Sequence, residues 1–477
     1  MFVDRKDTSA TTSKPVIAIV GGGYSGAAVA LHLARNDCDA QVVVFEPRTE
    51  IGRGLAYSTP DPDHRLNVPD HRMTLISEDP NHFKNWLGSA EAPILPGGSA
   101  TLAGEIFAPR AVFGQYVAAC LADLVTAGRI IHRKETVIRI DAEARGYFVY
   151  GSQGAPLRAD VVVLAASHPA PALPVELNAL AHDIALIADA SAPGALDQIA
   201  PQERVLIVGS GLTAADILAT LARQGQRAPV HVLSRHGWRS QPHGPKQPEA
   251  QADFATNPSA TALSLFRRVR LALDAEAARG VTWHAVFDKL RAQGPAIWAA
   301  LSLPERQRFL RHLRALWDIH RFRIAPQTHA TLVQAERQKS AIFHAARILA
   351  VQRLPGGIEI SIRPRGRRDT STLVVDRVIL ATGPAHGQVI ADNPALASLA
   401  KQGLVQPDPL KLGIATGTDA RAIGVSGPVH GLYVAGPLAR GTVGELMGVP
   451  EVTAWAEHVA GRIRQSLPVH ARPEAAE

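Results

Sequence analysis

The sequence predicts an α/β protein of two doubly wound modules, the second inserted in the first, with a helical insertion in the second. Two observations carry this. A unit of buried strand, glycine turn, helix and buried strand occupies residues 16–47, and the same pattern returns at 204–235. Two such units in a chain of 477 residues form an internal repeat, and each calls for a parallel sheet covered on both faces.

Taken in order, residues 1–14 are polar, lack an apolar run, and read as a disordered tail rather than a secretory leader. VIAIV (16–20) is β-branched and continuous, as a buried parallel strand should be. A helical pattern at 26–36 and the run QVVVFEP (41–47) complete a βαβ unit. Residues 129–150 alternate and predict hairpin material, and ADVVVLAAS (159–167) predicts another buried strand. The Pro/Ala-rich stretch 168–201 predicts the module boundary. Beyond it, RVLIVGS (204–210), a helix at 211–225 and PVHVLSR (229–235) repeat the unit. Residues 260–322 are helical by pattern, with Trp283, Trp298 and Trp317 on an apolar stripe that reads as packing surface. Strands return over 345–383 and at HGLYVAG (430–436), and Pro450 suits the first turn of a last helix. The expected partition is 15–195 plus 388–470 for the first module and 196–387 for the second, with the helical insertion at 250–325.

Composition narrows the class. No run of about 18 apolar residues exists, so no membrane span is expected. Cys38 and Cys120 stand far apart, form no Cys-x-x-Cys pair and no metal-ligand set, and read as reduced thiols of a cytoplasmic protein. The formal charge of +7 comes without an aromatic-interleaved basic stripe, so nucleic acid is not expected; anionic cofactors and an anionic small-molecule substrate account for it, as does a plain solvated basic face.

The glycine turns carry the chemistry. Gly21, Gly23 and Gly26 fit G-x-G-x-x-G: the first makes the tight turn, the second lets backbone approach a pyrophosphate, the third lets helix and strand pack. The helix N-terminus then offers its N–H groups to the phosphates. Glu46, at the end of the next strand, can accept from ribose hydroxyls and repels a 2′-phosphate. Gly209 and Gly211 open G-x-G-x-x-A, with Thr213 in the first helical turn. There the following strand ends in Arg235, where the first unit has Glu46. A guanidinium pairs with a phosphate through two charge-assisted bonds, so this unit reads as the NADPH site, with NADH the other candidate. A solvated strand-end charge is the competing reading of Arg235. Both modules are thus expected to be Rossmann-like.

At these residues the chain resembles the bacterial FAD/NAD(P)-binding flavoproteins related to flavin monooxygenases. The resemblance runs through VGGGYSGAAVALHL, VFEPRTEIGRGLAYST, HRLNVPDHRMT and HFKNWL. That group includes FAD-dependent urate hydroxylases and aspartate N-monooxygenases. The resemblance implies FAD contacts at Gly21, Gly23, Gly26 and Glu46, and from the following loop at Arg53, Gly54 and Asn67. It also implies crossings at Ala381-Thr382-Gly383 and, with serine in place of glycine, at LAASH (164–168). The last strand ends in Gly436-Pro437, where many relatives have Gly-Asp, so the contact that the Asp makes is missing.

A reduced flavin without a nearby cysteine couple must pass its electrons to oxygen or to an organic acceptor. The resemblance implies an NAD(P)H-using monooxygenase, with urate as the leading substrate and amine N-hydroxylation next. A flavin reductase without oxygenation and a flavin-bearing redox sensor are the other readings. His71, Arg72, His82 and His243 are loop residues able to serve as a base or an anion pocket, though any of them also suits a surface or satisfied core position. No Ser-His-Asp pattern, zinc-helix spacing or G-x-x-x-x-G-K is present.

Overall fold

The computed structural model describes residues 14–36 and 38–467. The tail expected at 1–14 lies outside the described residues except for Lys14. The strands are, in order, β1 (Val16–Val20), β2 (Gln41–Phe45), β3 (Ile130–Arg133), β4 (Val137–Ala142), β5 (Tyr147–Gly151), β6 (Leu157–Ala159), β7 (Val161–Leu164), β8 (Leu186–Ile187), β9 (Val205–Val208), β10 (Val230–Ser234), β11 (Ala341–Leu354), β12 (Gly357–Pro364), β13 (Ser371–Val375), β14 (Arg377–Leu380), β15 (Arg421–Gly424) and β16 (Gly427–Val434).

They form two main sheets. The first has the order β15-β16-β7-β1-β2-β3 and the second β13-β12-β11-β10-β9-β14-β8; β4, β5 and β6 make a small antiparallel sheet. The apolar runs read from the sequence become the parallel centres of both, with Ile17 opposite Val42 and Val161, and Val205 opposite Val230 and Arg377. Burial on both faces explains why these runs do not alternate.

The helix after the first glycine turn spans Tyr24–Arg35 and is buried from Tyr24 to Ala34 except at Ser25, because the sheet covers one side and the C-terminal helix Val449–Ser466 the other. Its second-unit counterpart is Leu212–Arg223. Two expectations are corrected. Residues 130–133 are not hairpin: they pair parallel with β2, Val42 opposite Ile130, and the hairpin is confined to β4 and β5. The boundary drawn at 195 falls too late, since β8 pairs with β14, and Leu177 and Leu180 lie buried in the core of the second sheet. Two leucines with no exposure need that cover, whatever the Pro/Ala content around them.

The helical insertion comprises Ala262–Ala278, Trp283–Ala292, Gly294–Ala300, Leu303–His312 and Arg314–Arg321. Its first helix opens with a reciprocal capping box between Thr261 and Ser264. It has its own core around Phe254, Leu265, Val286 and Ile297. It also grips the end of the first module: the Trp298 indole donates to the Gly441 carbonyl (2.9 Å), and Arg321 pairs with Glu445 (2.8 Å). No helix of the described residues is long and apolar enough to cross a membrane.

Candidate cofactor sites and their junction

Each glycine of the first turn has a separate reason to lack a side chain. Gly21 has φ +101°, donates its N–H to the Phe45 carbonyl (3.0 Å), and a Cβ there would stand 2.5 Å from the Ala165 carbonyl oxygen. A Cβ on Gly26 would stand 1.9 Å from the Gly21 carbonyl oxygen. Gly23 caps the helix without any side-chain cap, leaving its first N–H groups for a ligand. The glycines of the next loop press on this turn. Gly52 donates to the Gly22 carbonyl (2.7 Å), and Gly54, at φ +51°, would place a Cβ 2.8 Å from the Gly23 Cα. Gly436, at φ +64°, closes the other side: its Cβ would meet the Ser25 Oγ at 2.1 Å.

Glu46 lies at the base of this turn, 3% exposed. Its Oε2 accepts from the Gly22 N–H (3.2 Å), and its Oε1 from the Arg48 N–H (3.1 Å) and Nη1 (2.9 Å). Of roughly four acceptor positions on a carboxylate, three are used within the chain. One acceptor position is left over, and a second is held only by the exposed Arg48 side chain. Arg53 lies 2.8 Å from Glu50. Asn67 turns its carbonyl to His243, whose Nε2 donates to it (2.9 Å).

The second turn repeats the first. Gly209 has φ +120°, donates to the Leu233 carbonyl (2.8 Å), and would drive a Cβ to 2.2 Å from the Ala381 carbonyl oxygen. Gly211 caps its helix at an ordinary φ of −84°, and a Cβ there meets nothing within 4 Å. Thr213 is exposed beside it. The uncapped helix N-terminus therefore has open space over its first N–H groups. Arg235 is exposed at the end of β10, on a cavity of about 280 Å³ shared with His236, Arg347, Arg363, Arg365 and Arg367. No carboxylate lines it. Burial and the charges of Arg365, Arg235 and Arg347 lower the His236 pKa. The four further arginines come from β11, the end of β12 and the turn after it; their density at 363–368 was visible in the sequence, but their meeting with Arg235 depends on the long β11 running beside β10 and pairing with β12.

Each turn packs on one crossing, Gly21 on Ala165 and Gly209 on Ala381, and the two crossings meet between the modules. Pro171 and Pro384 form an antiparallel bridge, and the Ala385 N–H donates to the Ala170 carbonyl (3.2 Å). Gly383, at φ +79°, stands with open space above it. His168 and His386 face each other there edge to face, 4.9 Å between ring centres. Burial, with Arg440 adding repulsion, lowers His168 to about 4; burial, His168, Arg440 and Arg314 lower His386 to about 3. Both imidazoles are neutral at pH 7. The sequence reading missed this pair, although both residues follow directly on the two crossing motifs.

The four candidates for a base or anion pocket separate. His82 hydrogen-bonds with the Tyr116 hydroxyl (2.8 Å) inside an aromatic cluster and serves packing. His71 is half-exposed beside Asp70 (3.7 Å). Arg72 and His243 do come together with Asn67. Burial lowers the Arg72 pKa and takes His243 down to about 4, and Arg323 adds repulsion to both.

Residues 18–169 match the model of an FAD-NAD(P)-binding family. No curated protein matches the chain. Among solved structures, the reduced ornithine hydroxylase of Pseudomonas aeruginosa is 17% identical, covers 96% of this chain and 100% of its own, and superposes with a TM-score of 0.61. The L-lysine 6-monooxygenase of Pseudomonas syringae is 19% identical over 95% of this chain and 98% of its own, with a TM-score of 0.62. A bacillithiol disulfide reductase of Staphylococcus aureus is 13% identical over 95% and 98%, with a TM-score of 0.53. At such identities the likeness is one of fold. The chain carries an FAD-NAD(P)-binding domain within a two-module α/β fold that two amino-acid hydroxylases and a disulfide reductase share.

Proposed function

We propose that the chain is an FAD-dependent, NADPH-using monooxygenase that hydroxylates a small organic substrate at an amine nitrogen. One observation carries the reading: two glycine cradles of the same build, one ending in Glu46 and the other in Arg235, pack on crossings that meet between the modules. FAD fits the first, where a carboxylate receives a ribose. NADPH fits the second, where the arginine basin receives a 2′-phosphate. When bound, the cofactors supply hydride transfer and oxygen activation. The chain orients them through the uncapped helix N-termini at Gly23 and Gly211 and holds neutral His168 and His386 at the crossing.

Amine hydroxylation rather than urate hydroxylation finds support in the ornithine and lysine hydroxylases of the same fold. A disulfide relay lacks its couple. Cys38 and Cys120 are free; burial raises the pKa of the Cys38 thiol, and takes Cys120 to about 11.

The test is direct. Purified protein should be yellow, and its NADPH oxidation should consume oxygen and give an amine product heavier by one oxygen atom. Equal turnover with an artificial acceptor under nitrogen, without oxygenated product, would replace this reading by the reductase one. Negligible turnover across amines and acceptors would favour the sensor.

A further inference from the structure

The helical insertion and the C-terminal segment of the first module flank a half-open cavity of about 120 Å³. That is less than the roughly 150 Å³ of an apolar cavity that holds benzene, so an occupant seats one compact apolar group inside and reaches out through the open side. Leucine, isoleucine and valine side chains make up the largest share of its wall, with the rings of Phe266, Phe287, Trp298, Phe309 and Trp317 among them, and the charged groups that interrupt it are Arg314, Arg440 and Glu445.

Pairing the charges around this cavity leaves one over. Arg321 is bound to Glu445 (2.8 Å), Arg291 to Glu451 (2.9 Å) and Arg314 to Asp318 (3.4 Å). Arg440 is only 5% exposed, yet no carboxylate of the described residues lies within 4.0 Å of it. Its bond is a long one, from Nε to the Gly444 carbonyl (3.4 Å). Asp318 and Glu445 lie near enough to favour its charge, and Arg314 and Arg321 oppose it. A buried guanidinium without a partner is costly, and a carboxylate offers it two charge-assisted bonds.

The cavity also adjoins the cofactor junction. Gly436, four positions before Arg440, packs on Ser25 of the first turn. The charge of Arg440 is felt at both His168 and His386. The segment just after Arg440 is clamped, since the Trp298 indole donates to the Gly441 carbonyl and a Cβ on Gly444 would stand 2.5 Å from its ring.

We infer that this cavity binds a compact apolar carboxylic acid bearing an amine, its ring or short chain among the apolar side chains and its carboxylate paired with Arg440. The assignment rests on the proposed function for its chemistry alone. There, one atom of dioxygen enters the N–H bond, the other leaves as water, and NADPH supplies the two electrons with a proton from solvent. Urate, polar around its whole edge, and ornithine, which carries a charge at each end of its short chain, are poor occupants of such a wall.

The experiment is calorimetric titration of the purified full-length protein with para-aminophenylacetate and with the alcohol of the same skeleton, beside ornithine and urate. The acid should bind at least about tenfold more tightly than the alcohol, as expected of a charge-assisted bond. Arg440→Met should abolish that preference while the alcohol binds as before, and Arg440→Lys should restore part of it. If Arg440→Met does not fold, the wild-type comparison and the lysine variant still decide. Equal binding of acid and alcohol, tighter binding of ornithine or urate, or a preference that survives in Arg440→Met would overturn the assignment. A colourless protein that binds the acid would sink the proposed reaction and keep the site; a yellow protein indifferent to it would do the reverse.

Discussion

The glycine turns invite a paired substitution, Gly26→Ala and Gly211→Ala, because the same added methyl meets opposite surroundings. At Gly26 the new Cβ would lie 1.9 Å from the Gly21 carbonyl oxygen, some 1.5 Å inside ordinary contact, and that atom belongs to the backbone of the turn itself. Helix and turn must part, at a cost of about 3 kcal/mol or more. At Gly211 the methyl meets nothing within 4 Å, and φ of −84° suits alanine, so the fold loses less than about 1 kcal/mol as the cap changes. The space that methyl fills is assigned to the pyrophosphate of NADPH. Losing one N–H bond to a charged oxygen costs about 1.5–3 kcal/mol, which is about 10- to 150-fold in affinity. Thermal melting, bound flavin by absorbance, and the dissociation constant of NADPH are the three assays. Gly26→Ala should melt early and lose flavin. Gly211→Ala should melt with the parent, keep its flavin and bind NADPH weakly. A Gly211→Ala protein with unchanged NADPH affinity would refute the assignment of that open space to a ligand.

Three further outcomes follow from the same geometry. Arg235→Ala should weaken NADPH by about 1–2 kcal/mol and NADH hardly at all, the low end of the range because four other arginines remain in the basin; steady-state kinetics with both cofactors checks this, and equal losses would place Arg235 away from the phosphate. Acid should destabilise the protein through His243: its folded value of about 4 lies below the usual value near 6.5, so the unfolded chain takes up the proton first, and stability that is full above about pH 6.5 is lost as the pH falls towards 4, about 3 kcal/mol in all. His243→Gln, which keeps a donor for the Asn67 carbonyl, should flatten the melting temperature over that range; an unchanged slope refutes the assignment. Glu445→Gln should cost about 1.5–3 kcal/mol, because the buried Arg321 keeps only its longer contact with Glu451 (3.4 Å), read by urea unfolding, whereas a loss under about 1 kcal/mol would show that Glu451 satisfies Arg321 by itself.

How far the sequence reaches depends on whether a feature is local. Strand, turn and helix at Gly21 and Gly209 are set by residues adjacent in the chain, so their placement and their glycine roles could be read directly. Gly54 was expected to bring backbone close to a ligand; what it approaches is the Gly23 Cα, a contact between segments that no spacing reveals. The same limit explains β3, which lies beside β2 although residues 46–129 separate them in the chain, and Arg347, which reaches Arg235 because β11 and β10 are neighbours. His168 and His386 were within reach of sequence reasoning, since each follows a recognised crossing, but nothing local says that two crossings touch. Arg440 was illegible for a different reason. Its significance is an unmatched charge, and that emerges only when every surrounding carboxylate has been assigned.

The bridge between Pro171 and Pro384 has a consequence for how the molecule could be taken apart. The inserted module leaves and rejoins its host at one spot, so excising it and splicing Ala170 to Ala385, whose backbones already share a hydrogen bond, would leave only a small gap to close. A host so spliced, folded by itself and still coloured, would mark the second module as a detachable cassette.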